Sequence, residues 1–203
     1  ELYEGGTLLG PLLPDVEEEV GGNCPVRLCL THDTASAVYA IDEDAPYISS
    51  GTWSLLGVKQ ENAHTDPASM AANFSNEGGI RRTFRYQKNI MGMWVINNIS
   101  AENDVTPAEL AALSDESRYE GTADVNTPDF MAPDNMTKTL ARHLVNDGFK
   151  KPESLPDIAR AALSSLAKSY ADSVSHIEKS TGRTFDSIVI VGGGAKNRQL
   201  KRL

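Results

Sequence analysis

The order of two neighbouring segments near the end of the chain constrains the fold most. Through residues 157–179, apolar side chains recur at helical spacing, which predicts a long helix that buries one face. Residues 187–191 (SIVIV) are too few and too β-branched for a helix, and they predict a buried strand. Together the two patterns predict an α/β fold. We expect a mixed sheet that contains residues 26–30, 47–58 and 187–191 and is flanked by helix 157–179.

Local signals predict where several elements begin and end. Ser154 is suited to cap the long helix, and Gly182 is suited to end it. The sequence TPAE at residues 106–109 is a capping box with proline at the first helical position. Residues 89–98 are compatible with a further helix. Residues 1–22 and 114–135 contain many turn-forming or polar residues, so they predict loops.

The composition of the chain argues against a protein that binds nucleic acid. The 203 residues carry a net charge of -9 and no basic stripe, whereas affinity for a phosphate backbone requires clustered Lys and Arg. No apolar run approaches the roughly 18 residues that a membrane-spanning helix needs. Cys24 and Cys29 lack a second pair that would complete a metal site, so we expect reduced thiols in a cytoplasmic protein.

Residues 192–194 are three glycines that follow the predicted strand. Glycine lets the backbone approach a ligand closely, and a helix that starts near Asn197 would present free N–H groups to anionic atoms. The spacing matches neither a P-loop nor the dinucleotide-binding fingerprint. Taken alone, this unit leaves a plain structural turn as the alternative to a nucleotide site.

Two other short motifs each allow a structural and a functional interpretation. The corner SSGT at residues 49–52 is suited to a hairpin turn, and its Gly and Thr could also offer donors to a phosphate. Asp33 lies where a predicted strand meets a helix, and carboxylates at that position commonly cap the helix. The same carboxylate could accept a proton from a substrate hydroxyl during phosphoryl transfer. The tripeptide HDT at residues 32–34 does not decide between these roles.

In combination, the motifs resemble the FGGY family of carbohydrate kinases over nearly the whole chain. Residues 31–37 (THDTASA) resemble the segment that carries the catalytic aspartate of that family. Residues 50–54 (SGTWS) resemble its second phosphate motif, and residues 189–197 (VIVGGGAKN) resemble its adenosine motif. Within the family the resemblance is greatest to rhamnulokinases, on NEGG at residues 76–79, KNIMGMW at residues 88–94, and the stretch that includes Phe130, Pro133 and Met136.

The resemblance implies an actin-like, ribonuclease H-like α/β domain that occurs twice in the complete kinase, with the active site between the copies. Residues 1–22 would be the tail of the preceding domain and the interdomain connection, and residues 23–203 would be the second domain, incomplete at its C-terminus. The resemblance also implies ATP and Mg²⁺ as cofactors and a small-molecule sugar as substrate, with L-rhamnulose converted to L-rhamnulose 1-phosphate.

The resemblance further implies a role for individual residues, on the positions that match the family motifs. Asp33 would be the general base. The sugar would be bound by His32, Asp33, Thr34 and Asn89, and ATP by Gly51, Thr52, Asn97, Gly192, Gly193, Gly194 and Asn197. The family places Gln at the position of Asn97, so the shorter amide departs from the family pattern.

Other functions remain open on the sequence. A kinase of this family could act on fuculose, xylulose or glycerol, and a non-catalytic actin-like module could bind nucleotide or sugar without turnover. Asp33 disfavours the second alternative, because a sensor does not need a base. The chain starts at Glu1 and ends at Leu203 soon after a glycine-rich turn, so we expect a longer protein cut at both ends. We therefore expect the isolated chain to be inactive and the metal ligands to lie in the other domain.

Overall fold

The computed structural model describes residues 3–29, 33–41, 44–79 and 82–203 of the chain. Within these ranges the strands are β1 (Leu8–Pro11), β2 (Pro25–Arg27), β3 (Tyr47–Ser50), β4 (Ser54–Gln60), β5 (Phe74–Gly78), β6 (Phe84–Ile90) and β7 (Val189–Val191). The α-helices are α1 (Pro14–Val20), α2 (Asp33–Tyr39), α3 (Pro67–Ala71), α4 (Met93–Glu102), α5 (Pro107–Leu113), α6 (Met136–Asn146) and α7 (Leu155–Thr181). Single 3₁₀ turns occur at Ser114–Glu116, Pro128–Phe130, Gly193–Lys196 and Leu200–Arg202.

The main sheet has the strand order β5-β6-β4-β3-β7. Strand β7 runs parallel to β3, and the other neighbours are antiparallel, so the predicted mixed sheet is confirmed. The predicted strands within residues 47–58 form the hairpin β3–β4, whose ladder ends with the pair Ser50 and Ser54. Gly57 in β4 lies opposite Gln87 in β6, where an added Cβ would stand 2.5 Å from the Gln87 Cβ. Glycine at this position therefore lets the two strands approach.

The prediction that residues 26–30 belong to the main sheet is wrong. Strand β2 pairs with β1 in a separate two-stranded sheet, and Leu8 lies opposite Arg27 in that ladder. Its apolar run is short, and no residue of β1 or β2 is buried, so a core strand does not form there. Residues 1–22 also differ from the predicted loop, because they contain β1 and the short helix α1.

The predicted helix at residues 89–98 begins later than the sequence indicated. Asn89 and Ile90 belong to β6, where they pair with Leu55 and Ser54 of β4. The chain then turns at Gly92, which has a φ of 57°, and α4 starts at Met93. The apolar spacing of this segment suits a helix, but the ladder with β4 holds its first residues in the sheet. Helix α4 therefore starts next to the tip of the hairpin.

The long helix α7 covers one face of the main sheet, and its predicted ends are confirmed. The Ser154 hydroxyl accepts a hydrogen bond from the Asp157 N–H at 3.3 Å, and Gly182 ends the helix in the left-handed conformation. On its apolar side, Leu163, Leu166 and Ile177 share one core with Leu56, Val58 and Tyr86 of the central strands. The capping box at Thr106 is also present, with Thr106 and Glu109 bonded to each other's backbone N–H groups.

Two further observations concern the surface and the helices. Cys24 and Cys29 are exposed and unbonded to each other. Among the helices of the described ranges, none combines the length and apolar character needed to cross a membrane.

Candidate functional site

The tip of the hairpin β3–β4 is tied to the first turn of α4. The Gly51 N–H donates to the Trp53 carbonyl at 2.9 Å, which closes the turn. The backbone N–H groups of Met93 and Trp94 donate to the carbonyls of Gly51 and Thr52 at 3.3 and 2.8 Å. The first N–H groups of a helix have no partner within the helix, so the tip satisfies donors that would otherwise be free. Thr52 and α4 therefore form one unit.

The three glycines after β7 lie directly against the end of β3. Gly192 has a φ of 88°, and a Cβ added to it would stand 2.6 Å from the Ser50 carbonyl oxygen. A Cβ on Gly194 would stand 1.9 Å from the Ser50 hydroxyl oxygen, whereas one on Gly193 would meet nothing within 4 Å. Gly192 and Gly194 thus allow the turn to pack on β3, and Gly193 faces open space. The predicted helix from Asn197 is reduced to short 3₁₀ turns.

A cavity of about 480 Å³ opens where these segments meet. That volume lies within the range of about 300–1,000 Å³ typical of small-molecule sites. Of the residues that the sequence predicted for ATP, the cavity is lined by Gly51, Thr52, Asn97, Gly193, Gly194 and Asn197. Gly192 does not line the cavity and lies against the Ser50 carbonyl. Asn197 also accepts a hydrogen bond from the Leu200 N–H at 2.9 Å. Residues that are far apart in the sequence are therefore gathered around one cavity.

The sequence reasoning missed about half of the cavity wall. The additional lining residues are Met93, Pro107, Ala108, Ala111, Lys196, Arg198 and Gln199. The capping box had identified residues 106–109 as a helix start, but nothing in its pattern placed that helix beside the glycine turn. Lys196 and Arg198 were a detectable signal, because two cations directly after a glycine-rich turn suit an anionic ligand.

Asp33 and Thr34, predicted for the sugar, begin helix α2. Asp33 is exposed, and its Oδ1 accepts a hydrogen bond from the Thr34 N–H at 2.6 Å. The Thr34 hydroxyl lies 3.4 Å from the same oxygen, and the Thr34 residue is buried. The carboxylate is thus held by its neighbour while it faces solvent. His32, predicted beside it, lies outside the described residues.

Asn89 lies on the face of the sheet that α2 covers. Side chains alternate along a strand, so Asn89 shares a face with Gln87. The Gln87 Oε1 accepts a hydrogen bond from the Tyr47 hydroxyl at 2.7 Å, and Tyr47 packs against Val38 of α2. Burial raises the pKa of Tyr47 above its ordinary value, with Arg85 acting in the opposite direction. Asn89 pairs with Leu55, one step from the end of the ladder, so it lies beside the hairpin tip.

Within the described ranges, no three His, Cys, Asp or Glu side chains cluster closely enough to hold a metal ion. Mg²⁺ is commonly held by one or two carboxylates together with substrate phosphates and water. The described residues therefore do not supply such a cluster of protein ligands for Mg²⁺.

Comparison with known proteins gives a family match for most of the chain. Residues 46–203 match the model of the C-terminal domain of the FGGY family of carbohydrate kinases. A rhamnulokinase of Halalkalibacterium halodurans is 40% identical over 199 residues, which cover 96% of this chain and 43% of that protein. A rhamnulokinase of Oceanobacillus iheyensis is 35% identical over 201 residues, which cover 97% of this chain and 43% of that protein. The chain thus spans less than half the length of these relatives.

Solved structures share the fold at low sequence identity. A ligand-bound xylulose kinase from Lactobacillus acidophilus superimposes with a TM-score of 0.71 at 17% identity, covering 100% of this chain and 42% of that one. The Plasmodium falciparum glycerol kinase with ADP gives a TM-score of 0.70 at 14% identity, covering 98% of this chain and 40% of that one. These similarities establish the α/β architecture of the chain.

Proposed function

Because this chain belongs to the FGGY family of carbohydrate kinases, we propose that it supplies the second domain of an enzyme that transfers phosphate from ATP to a ketose. The proposed substrate is L-rhamnulose and the proposed product L-rhamnulose 1-phosphate, as part of rhamnose catabolism. The similarity to two rhamnulokinases supports this choice of sugar. In this proposal residues 1–22 join the preceding domain to the second domain, which occupies residues 23–203.

The observation that carries the proposal is that one residue predicted for ATP, Thr52, and one predicted for the sugar, Asn89, lie at the same end of the main sheet. Thr52 occupies the hairpin tip, and Asn89 lies one step from the end of the adjoining ladder. Helix α2 packs on β3 through Val38 and Tyr47. In this proposal Asp33, at the start of α2, faces the same end of the sheet. A phosphate donor in the cavity could then approach a hydroxyl near Asp33.

The proposed chemistry is an in-line phosphoryl transfer. The sugar hydroxyl oxygen forms a bond to the γ-phosphorus of ATP while the bond from that phosphorus to the β–γ bridging oxygen breaks. Asp33 accepts the hydroxyl proton, and ADP leaves. His32, Thr34 and Asn89 would hold the sugar, and the cavity wall with Gly51, Thr52, Asn97, Gly192, Gly193, Gly194 and Asn197 would hold the nucleotide. Mg²⁺ bound to the phosphates would neutralise charge, with protein ligands outside this chain.

The choice of sugar can be tested with the complete protein and a substrate panel. We expect the highest kcat/KM with L-rhamnulose, compared with L-fuculose, D-xylulose and glycerol, measured by coupled ADP release. Preference for another ketose or polyol would keep the kinase and replace the sugar. Binding of ADP without phosphorylation of any sugar would indicate a non-catalytic module.

The role of Asp33 can be tested by Asp33→Asn in the same protein. Asparagine keeps the shape of the side chain and serves at a helix start as well as aspartate does, but it is a far weaker base. We expect kcat to fall by roughly 10²–10⁴-fold, the range for loss of general-base catalysis, with little change in sugar binding.

The matched control for Asp33→Asn is Asp66→Asn. Asp66 caps α3 by accepting a hydrogen bond from the Ser69 N–H at 2.9 Å, and it lines no part of the cavity. We expect this variant to keep its kcat. A kcat close to that of the parent enzyme in Asp33→Asn would mean that Asp33 serves the helix and not the reaction.

A further inference from the structure

A buried pair of serines lies beneath the cavity, at the last rung of the hairpin. Ser50 and Ser54 are directly paired in the ladder of β3 and β4, and both are buried. A Cβ added to Gly194 would stand 1.9 Å from the Ser50 hydroxyl oxygen, and one added to Gly92 would stand 2.7 Å from the Ser54 hydroxyl oxygen. The hairpin tip, the triple-glycine turn and the turn before α4 therefore all rest on this serine pair.

The same three segments supply much of the cavity wall. The tip contributes Gly51 and Thr52, the glycine turn contributes Gly193 and Gly194, and α4 contributes Met93 and Asn97. The relative positions of these segments set the width of the cavity. A group that fixes the serine pair therefore also fixes the geometry of the site.

Helix α7 provides such a group. The hydroxyl oxygens of Tyr170 and Ser54 are 2.7 Å apart, and both residues are buried. Burial raises the pKa of Tyr170, and the hydroxyls of Ser54 and Ser50 act in the opposite direction. The Ser50 hydroxyl nevertheless completes no hydrogen bond of good geometry within the described part of the chain. Tyr170 itself does not line the cavity, so any effect of Tyr170 on the site is indirect and passes through Ser54.

We infer that Tyr170 is a positioning residue for the nucleotide site. Through Ser54 it holds the hairpin tip, and with it Thr52, in register with the glycine turn. This inference rests on the proposed function, because it takes the cavity to be the ATP site. The physical reason is that the hairpin tip at Gly51, the turn at Gly92 and the turn at residues 192–194 are built from glycines and have few side chains of their own to lock them. A directional, buried hydrogen bond from a long rigid helix supplies that constraint.

The test is Tyr170→Phe in the complete protein, with Tyr86→Phe as its matched control. Both changes remove one hydroxyl from a buried ring. The Tyr86 hydroxyl is 2.6 Å from the Ser69 hydroxyl and 2.9 Å from Nε2 of His176, which also lies on α7. None of these three residues lines the cavity. The control therefore loses a comparable contact to the same helix at a distance from the site.

Two readouts separate positioning from stability. The Kd for ADP is measured by calorimetry, and KM values for ATP and sugar are measured with the Tm of each variant. We expect Tyr170→Phe to raise the Kd for ADP and the KM for ATP about tenfold, the scale of one buried hydrogen bond, with the sugar KM nearly unchanged. We expect Tyr170→Phe and Tyr86→Phe to lower the Tm by similar amounts, and Tyr86→Phe to leave the Kd for ADP and the KM for ATP unchanged. Nucleotide constants that are equal in the two variants would overturn the inference.

The double variant Ser54→Ala with Tyr170→Phe keeps the inference falsifiable if Tyr170→Phe does not fold. It removes both hydroxyls and leaves neither buried without a partner, so its stability should recover. Its nucleotide constants should still be raised, and parental constants would refute the positioning role. ADP binding does not depend on sugar turnover. A parent protein that binds ADP but phosphorylates no sugar would refute the proposed function alone, and one that binds no ADP would refute both.

Discussion

The contrast between two neighbouring glycines gives the sharpest prediction for the cavity. A Cβ added to Gly193 meets nothing within 4 Å, and its φ is not in the left-handed region. The structure can therefore accept Gly193→Val without a clash, and a change of about ±0.5 kcal/mol in the free energy of unfolding is expected for such a site. Because Gly193 lines the cavity, the new isopropyl group would occupy space that a bound nucleotide needs.

The expected penalty on nucleotide binding follows from steric crowding. Overpacking of a well-fitted contact typically costs about 1–3 kcal/mol, and about 1.4 kcal/mol corresponds to a tenfold change in affinity. We therefore expect Gly193→Val to raise the KM for ATP by between about fivefold and about 140-fold. The KM for the sugar should change little, because Asn89, the proposed sugar contact, lies on the face of the main sheet that α2 covers and does not line the cavity.

Gly194→Ala is the matched control, and it should fail for a different reason. Its Cβ would stand 1.9 Å from the Ser50 hydroxyl oxygen and 2.8 Å from the Ser50 Cβ, so the protein interior must shift. We expect its Tm to fall by several degrees, whereas the Tm of Gly193→Val stays close to that of the parent. The measurements are steady-state kinetics in both substrates and thermal unfolding. Equal increases in the two KM values of a fully folded Gly193→Val protein would mean that the turn is structural and does not contact ATP.

Two further predictions concern the chain alone and its response to pH. The isolated 203-residue chain should not phosphorylate L-rhamnulose, because phosphoryl transfer requires the reacting atoms within about 3–3.5 Å and the chain spans 43% of its relatives; turnover near about 1 s⁻¹, in the usual kinase range, would contradict this. Burial lowers the pKa of His176 below its ordinary value of 6.5, so the unfolded chain takes up a proton more readily than the folded one. This contribution to stability is complete above pH 6.5 and is lost as the pH falls through the lower pKa of the folded protein. The Tm should therefore drop as the pH falls from 6.5 towards that lower pKa, and it should drop less in His176→Gln; equal pH dependence of the Tm in the two proteins would argue against this role of His176.

Local elements whose signals are short and strong could be predicted from the residues alone. The helix α7 and its ends at Ser154 and Gly182 followed from periodicity and capping chemistry, and so did the start of α5 at Thr106. The corner at Gly51 and Thr52 was predicted for the same reason, because turn residues act over a few neighbours. The family could be predicted because its motifs are also local runs of residues.

Strand pairing and the proximity of distant residues could not be predicted in this way, because both depend on the packing of the whole chain. Residues 26–30 read as a buried strand, but the partner available to Pro25–Arg27 is β1, and that ladder stays outside the core. The sequence indicated a helix that included Asn89, but the backbone of Asn89 pairs with Leu55 in the ladder of β4 and β6. Whether a short apolar run joins a sheet depends on which edge it reaches, and the run itself carries no information about that edge.

The candidate site shows the same division between sequence and tertiary structure. The glycine turn and the hairpin corner were predicted as separate motifs. Pro107 and Ala108 line the same cavity because the fold brings the start of α5 next to these two motifs. The hydrogen bond between Ser54 and Tyr170 spans 116 positions of the chain, and neither residue has a local pattern that indicates the other. Motifs are written in the sequence because they act over a few bonds, whereas a site is assembled by packing, which acts between side chains that the sequence keeps far apart.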